Sequence, residues 1–188
     1  GEIERNDLRD VILVAHSYSG VPITGAADRV HERIRHLIYV DCTPIPDGMS
    51  LFETCSPEEQ AFLSQLVAEQ GDGWRLPLPT WEDLEQRMGA SLAGISEKQR
   101  RAFRAQAVPQ PFGTYRQALR LTQPVADPLP KLGVLCSFPE AALREMIGTD
   151  HPWARSVSGP EWQFVELLTS HWPMFSEPER LAEGLAGG

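Results

Sequence analysis

The chain has 188 residues, 41% of them hydrophobic and 23% charged, and a net charge of −9. Those values exclude a wholly disordered chain and suit one domain, with or without an insertion, that buries about 70% of its unfolded surface. The acidic balance, 26 Asp and Glu against 17 Lys and Arg, repels phosphate backbones and anionic lipid, so no nucleic acid and no membrane is expected as partner. In chain order, Val11-Ile12-Leu13-Val14-Ala15 comes first, a continuous apolar run rich in β-branched residues that predicts a strand buried on both faces. Val21, Ile23, Val30 and Ile34 predict a helix from about Tyr18 to Arg33, with Pro22 tolerated in its first turn. Leu37-Ile38-Tyr39-Val40 predicts a second buried strand. Strand, helix, strand is a βαβ unit, so the strands should be parallel.

Residues 43–130 differ in character. They hold ten of the 16 prolines, and their helices come as capped pieces between Pro-rich turns. Ser56-Pro57-Glu58-Glu59 is a capping box with proline at the first helical position, and Gly71 ends that helix. Ser96-Glu97-Lys98-Gln99 opens another in the same way. The segment reads as a helical cap inserted over a sheet. Alternation then resumes, with a strand over 132–136, a helix over 139–147 and a strand over 162–167. A last helix opens with the capping box Ser176-Glu177-Pro178-Glu179 and runs to about Leu185. The whole is an α/β fold, its parallel-sheet core drawn from 1–42 and 131–188 and its cap from 43–130.

Chemistry concentrates in Ala15-His16-Ser17-Tyr18-Ser19-Gly20, where a buried strand turns into a helix. Small residues two before and two after a serine allow a tight turn that lifts the hydroxyl above the sheet. The usual outer glycines of G-x-S-x-G are here Ala15 and Ser19. In such an elbow the side chain of His16 points away into packing. A serine needs a base. Thr169-Ser170-His171-Trp172-Pro173-Met174 follows the last predicted strand, which puts His171 on a loop at the carboxyl edge where Ser17 also emerges.

The stretch Asp10 to Gly20 resembles the nucleophile segment of the α/β-hydrolase superfamily, in particular the branch of small esterases and plant hydroxynitrile lyases. Ile38-Tyr39-Val40-Asp41 with Pro46-Asp47-Gly48-Met49-Ser50, and Ser170-His171-Trp172-Pro173-Met174-Phe175-Ser176, are similar to two further segments of that branch. The likeness runs over essentially the whole chain. It implies a Ser-His-acid triad with Ser17 as nucleophile and His171 as general base. Much of the superfamily carries an Asp after the strand before the last, but Ser137-Phe138-Pro139-Glu140 has none there. Asp41, at the end of the strand beside the nucleophile strand, is the favoured acid, with Glu140 and the absence of any functional acid as the alternatives. The N–H of Tyr18 would be one oxyanion donor. The resemblance also implies further strands ahead of the nucleophile strand and a His-Gly loop that gives a second donor; with Val11 already beginning that strand, these are expected to be missing from this chain. The Val11–Val14 strand should therefore be an edge, which would pair with a second copy in a homodimer or mark a fragment of a longer hydrolase.

The expected activity is hydrolysis of small carboxylic esters through an acyl-enzyme, without cofactor or metal. The alternatives are a hydroxynitrile lyase on the same fold and a non-catalytic relative that binds small ligands or partners. No apolar run reaches the about 18 residues of a membrane span, and the N-terminus lacks the pattern of a signal peptide. Cys42, Cys55 and Cys136 fit reduced thiols, and a cytoplasmic protein is expected. His31 and His36 lie on different helix faces and match no metal motif. Lys98, Arg100, Arg101 and Arg104 read as a solvated helix face. Trp74, Trp81, Phe103, Phe112 and Tyr115 could line an apolar pocket, at least half of them being cap core.

Overall fold

A computed structural model of the chain describes residues 1–122, 129–149 and 154–186. Residues 123–128 of the expected cap lie outside that description. The short helix α1 (Glu2–Arg5) leads into β1 (Val11–His16), and α2 (Gly20–Val30) connects β1 to β2 (Ile34–Val40). The predicted single helix is an α-helix between two one-turn 3-10 segments, Ser17–Ser19 and His31–Arg33. Pro22 sits in its first turn, as the missing N–H requires.

Between β2 and the next strand of the sheet come α3 (Leu51–Thr54), α4 (Pro57–Gln70), β3 (Arg75–Leu76), α5 (Trp81–Gln86), α6 (Glu97–Gln106), β4 (Gln110–Pro111) and α7 (Gly113–Arg116). β3 and β4 pair with each other and not with the main sheet. The capping boxes at Ser56 and Ser96 form as read, each serine hydroxyl accepting from the third residue's N–H, a contact worth about 1 kcal/mol. Gly71 ends α4 because of space, since a Cβ there would lie 1.7 Å from the carbonyl oxygen of Arg75. Leu63, Leu66, Val67, Leu76 and Phe112 give this region a core of its own.

The sheet resumes with β5 (Lys131–Leu135), α8 (Glu140–Ile147) and β6 (Trp162–Glu166), followed by α9 (Pro173–Ser176) and α10 (Pro178–Ala186). The four main strands are all parallel in the order β1-β2-β5-β6. β5 is buried along its whole length. One face of the sheet packs Ala15, Leu37, Tyr39 and Leu135 against Ala27 and Val30 of α2 and Leu143 of α8. The other packs Ile38, Val40, Leu132 and Val134 with Leu181 and Leu185 of α10 against it. The first strand stands at an edge of the sheet, as expected from the resemblance, and so is not buried on both faces as its apolar run suggested: Ile12 and Val14 remain 45% and 48% exposed.

The capping box expected at Ser176 does not form. Ser176 closes α9, its hydroxyl hydrogen-bonded to Thr169 Oγ1 and Ser170 Oγ at 2.8 Å each, and the carbonyl of Glu177 starts α10 instead. Among the described residues no helix is long and apolar enough to cross a membrane.

Candidate active site

The parallel register aligns the strand ends. His16 lies opposite Val40, and Val40 opposite Val134, so the residues after β1, β2 and β5 share one carboxyl edge. Ser17 follows β1 directly with φ 53°, and Asp41 follows β2 directly with φ 47°. Both hold the left-handed conformation that non-glycine residues seldom adopt. At Ser17 the reversal turns the side chain up from the sheet and starts a helix behind it. Ser19 Oγ folds back on the turn, donating to the carbonyl of His16 at 2.7 Å and accepting from its N–H at 2.6 Å. The glycine this elbow requires is Gly20, where a Cβ would sit 2.8 Å from the carbonyl oxygen of Thr43.

His171 reaches this edge on the loop between β6 and α9. Its Nε2 lies 2.9 Å from Ser17 Oγ and its Nδ1 2.6 Å from Asp41 Oδ2. A carboxylate only accepts, so Nδ1 carries the proton and Nε2 is left to accept from the serine hydroxyl. The Asp41 side chain is 2% exposed and fully engaged. Its Oδ1 accepts from the N–H groups of Cys136 and Ser137 at 2.9 Å each, and Oδ2 also accepts from Ser137 Oγ at 2.5 Å. Burial pushes this carboxyl up, but the bond to His171, the charge on that ring and the donors of Ser137 outweigh burial and hold it below the usual carboxylate range. Glu140 is not brought to the histidine: it opens α8 and pairs with Arg144. Ser137 occupies the place where the resemblance expected an Asp, and it serves the carboxylate that comes from the neighbouring strand instead.

Four contributors escaped the sequence reading. His16 does not simply point into packing: its ring lies 4.8 Å from that of His171, and its Nε2 donates to the His171 carbonyl at 2.6 Å. Burial and the nearby His171 charge hold the His16 pKa below its usual value. Ser91, from the insertion, accepts the N–H of His171 at 2.7 Å. Ser137, donor to Asp41, also meets the N–H of Ser91 at 3.3 Å. Cys42 lies under the elbow against backbone groups of Ser17 and Gly20, and burial together with the Asp41 charge pushes its thiol up to about 12. None of these pairings has a local signature, because each joins segments far apart in the chain.

Tyr18 occupies the second position of the 3-10 turn, where an N–H has no acceptor within its own helix, and its side chain lines the space above the serine. That space is a cavity of about 780 Å³ lined by Ser17, Tyr18, Asp41 and His171 together with residues of the insertion. Of the five aromatics singled out in the insertion, Phe103 and Tyr115 line it, Phe112 is core, and Trp74 is 57% exposed. The basic run is part framework: Arg104 donates to the carbonyl of Pro79 at 2.6 Å, and Arg100 and Arg104 both lie over the Trp81 ring.

Comparison with known proteins agrees with this fold. Residues 2–184 match the alpha/beta hydrolase family. The carbendazim hydrolyzing esterase of Nocardioides sp. (strain SG-4G) is 32% identical, over 99% of this chain and 74% of its own length. Among solved structures, an extracellular alpha/beta-hydrolase from a Paenibacillus species, described as sharing homology with tobacco salicylic acid binding protein 2, superposes with a TM-score of 0.80 at 23% identity. That match covers 99% of this chain and 74% of that one. A pyrethroid hydrolase from Sphingobium faniae JZ-2 superposes with a TM-score of 0.62 at 20% identity, covering 95% of this chain and 70% of that one. Family match, parallel sheet and serine-bearing strand-to-helix turn agree along almost the whole sequence, and this chain belongs to the alpha/beta hydrolase family.

Proposed function

We propose that the chain is a serine hydrolase of small carboxylic esters, with Ser17 as nucleophile, His171 as general base and Asp41 as the acid that orients it. The observation that carries this reading is the unbroken row Ser17 Oγ, His171 Nε2, His171 Nδ1, Asp41 Oδ2, at 2.9 and 2.6 Å, beside a cavity that could hold a substrate. Ser17 Oγ attacks the ester carbonyl carbon as its proton passes to His171 Nε2, and the oxyanion forms toward the N–H of Tyr18. Collapse breaks the bond to the alkoxy group, which leaves as alcohol with the proton from His171. Water, deprotonated by the same nitrogen, then releases the acid from Ser17. Asp41 keeps the productive tautomer and balances the imidazolium. The family membership and the esterase name of the 32% identical relative support the reaction class.

The same reading takes residues 43–130 as a cap that closes the substrate space, and a second copy as the partner on the free edge of β1. The three free cysteines support a reducing, cytoplasmic setting.

The test is intact mass before and after a fluorophosphonate probe, which bonds to an activated serine and releases fluoride. The wild type should gain one adduct, Ser17→Ala none, and His171→Ala and Asp41→Asn should react slower by about 10³ or more. A folded wild-type chain without adduct would sink the hydrolase reading and leave a ligand-binding relative. Cleavage of cyanohydrins without ester turnover would place it with the lyases.

A further inference from the structure

The cavity over Ser17 has a charge pattern that the triad does not explain. Among the described residues its lining includes no Lys or Arg, and its only histidine is His171, already held by Asp41. Two carboxylates line it among the described residues. Asp41 is consumed by His171, Cys136 and Ser137, whereas Glu59, the third residue of α4, uses one oxygen to accept from the N–H of Ser56 at 2.9 Å. The charge of Glu59 reaches the wall: the thiol of Cys55, which lines the same cavity, is pushed up to about 11 by burial first and by Glu59 second. The rest is largely apolar. Tyr18 stacks on Tyr115 at 5.4 Å beside the nucleophile, and Trp172 meets Phe103 at 5.2 Å beside the base.

We infer that this cavity takes uncharged esters carrying a bulky apolar group and rejects esters that carry an anionic group, with Glu59 setting the charge selectivity. The turnover part of this inference rests on the ester-hydrolase reading; the binding part does not. An anion entering here loses hydration, finds no cation among the described lining residues and meets a like charge. A neutral ring or branched chain buries its surface against the aromatic and aliphatic wall. The volume of about 780 Å³ lies within the usual range for drug-sized ligands and is far more than an acetyl group fills. The same field acts on the product. Hydrolysis turns a neutral acyl group into a carboxylate, which the site then holds weakly, so turnover ends in expulsion.

The experiment uses two ligands matched except for one carboxylate, methyl 4-acetylbenzoate and monomethyl terephthalate. Their binding to Ser17→Ala is measured by calorimetry at pH 7.5, and their hydrolysis by the wild type is followed in parallel. The neutral ester should bind at least about tenfold tighter, and adding Glu59→Gln should cut that ratio by about threefold or more. Glutamine can keep the capping box at Ser56, so α4 remains capped, and circular dichroism checks the fold. Equal binding of the two ligands, binding of neither, or an unchanged ratio in folded Glu59→Gln would overturn the inference. Selective binding without hydrolysis of either ester would sustain it and count against the ester-hydrolase reading. Hydrolysis of both at equal efficiency would do the reverse.

Discussion

Ser17 and Asp41 each hold a left-handed backbone one residue past a strand, a conformation that costs about 1–3 kcal/mol at a non-glycine position. The surroundings hold both in place: Ser19 braces the turn at Ser17, and three donors from Cys136 and Ser137 converge on Asp41. His16 does the corresponding work for His171. It adjoins Ser17 in sequence and grips the His171 carbonyl, so the Ser17 turn and the His171 loop are tied directly. Replacing it by phenylalanine keeps a ring near His171 but removes the Nε2–H. His16→Phe should therefore slow fluorophosphonate labelling by about tenfold while the protein stays folded. The pH dependence supplies a second readout. The folded pKa of His16 lies below its unfolded value of about 6.5, so as pH falls through 6.5 the unfolded chain takes up a proton that the folded chain resists. The fold loses stability in that direction, and His16→Phe should lose less of it in denaturant titrations at pH 7.5 and 5.5. An identical pH dependence in the two proteins would contradict the assigned protonation.

At the scale of elements, the site exists because three parallel strands end in register. β2 lies between β1 and β5, so a carboxylate after β2 can reach the place that an acid after β5 would otherwise fill. Ser137, after β5, then becomes a donor to it. Helix placement is equally tight. α2 begins at Gly20 against the turn after β2, with 2.8 Å from its ideal Cβ position to the Thr43 carbonyl and 3.3 Å to the Cys42 sulfur. Gly20→Ala should destabilise by about 1–3 kcal/mol, since backbone rather than a flexible side-chain end must shift. Because the shift moves the elbow, labelling of Ser17 should slow as well. Thermal unfolding and adduct kinetics on the same variant check both. A stable variant labelled at the wild-type rate would show that the approach of α2 does not position the serine.

At the scale of the molecule, the four described strands leave β1 and β6 as the edges of the sheet around a well-covered interior. β1 carries Ile12 and Val14 about half exposed, with Leu8 at 46% nearby. An unpaired parallel edge with apolar side chains attracts another strand, and a two-fold join would extend the sheet antiparallel. Sedimentation over a concentration series should give the mass of a dimer at the upper end, and Val14→Lys should return it to monomer. A monomer mass at every concentration would remove the second copy from the proposal. The net charge of −9 opposes self-association only weakly, since screening limits repulsion to about 8 Å at physiological salt.

Much of this was legible in the sequence, for local reasons. The apolar runs of β1, β2 and β5, the capping serines 56 and 96, and the small residues around Ser17 act through neighbours a few positions away, so composition and spacing reveal them. The place of His171 on a loop after the last strand was readable from the order of elements, whereas its pairing with Ser17 was implied only by the resemblance. What the tertiary structure alone decided depends on which strand lies beside which. Asp41 rather than Glu140 meets His171 because β2 is central and α8 turns Glu140 toward Arg144. The hydroxyl of Ser176, read as a helix cap, goes to Thr169 and Ser170, because a buried polar cluster competes for the same group. His16, Ser91 and Ser137 join the site through contacts spanning 46 to 155 positions of sequence, a separation at which no spacing pattern survives.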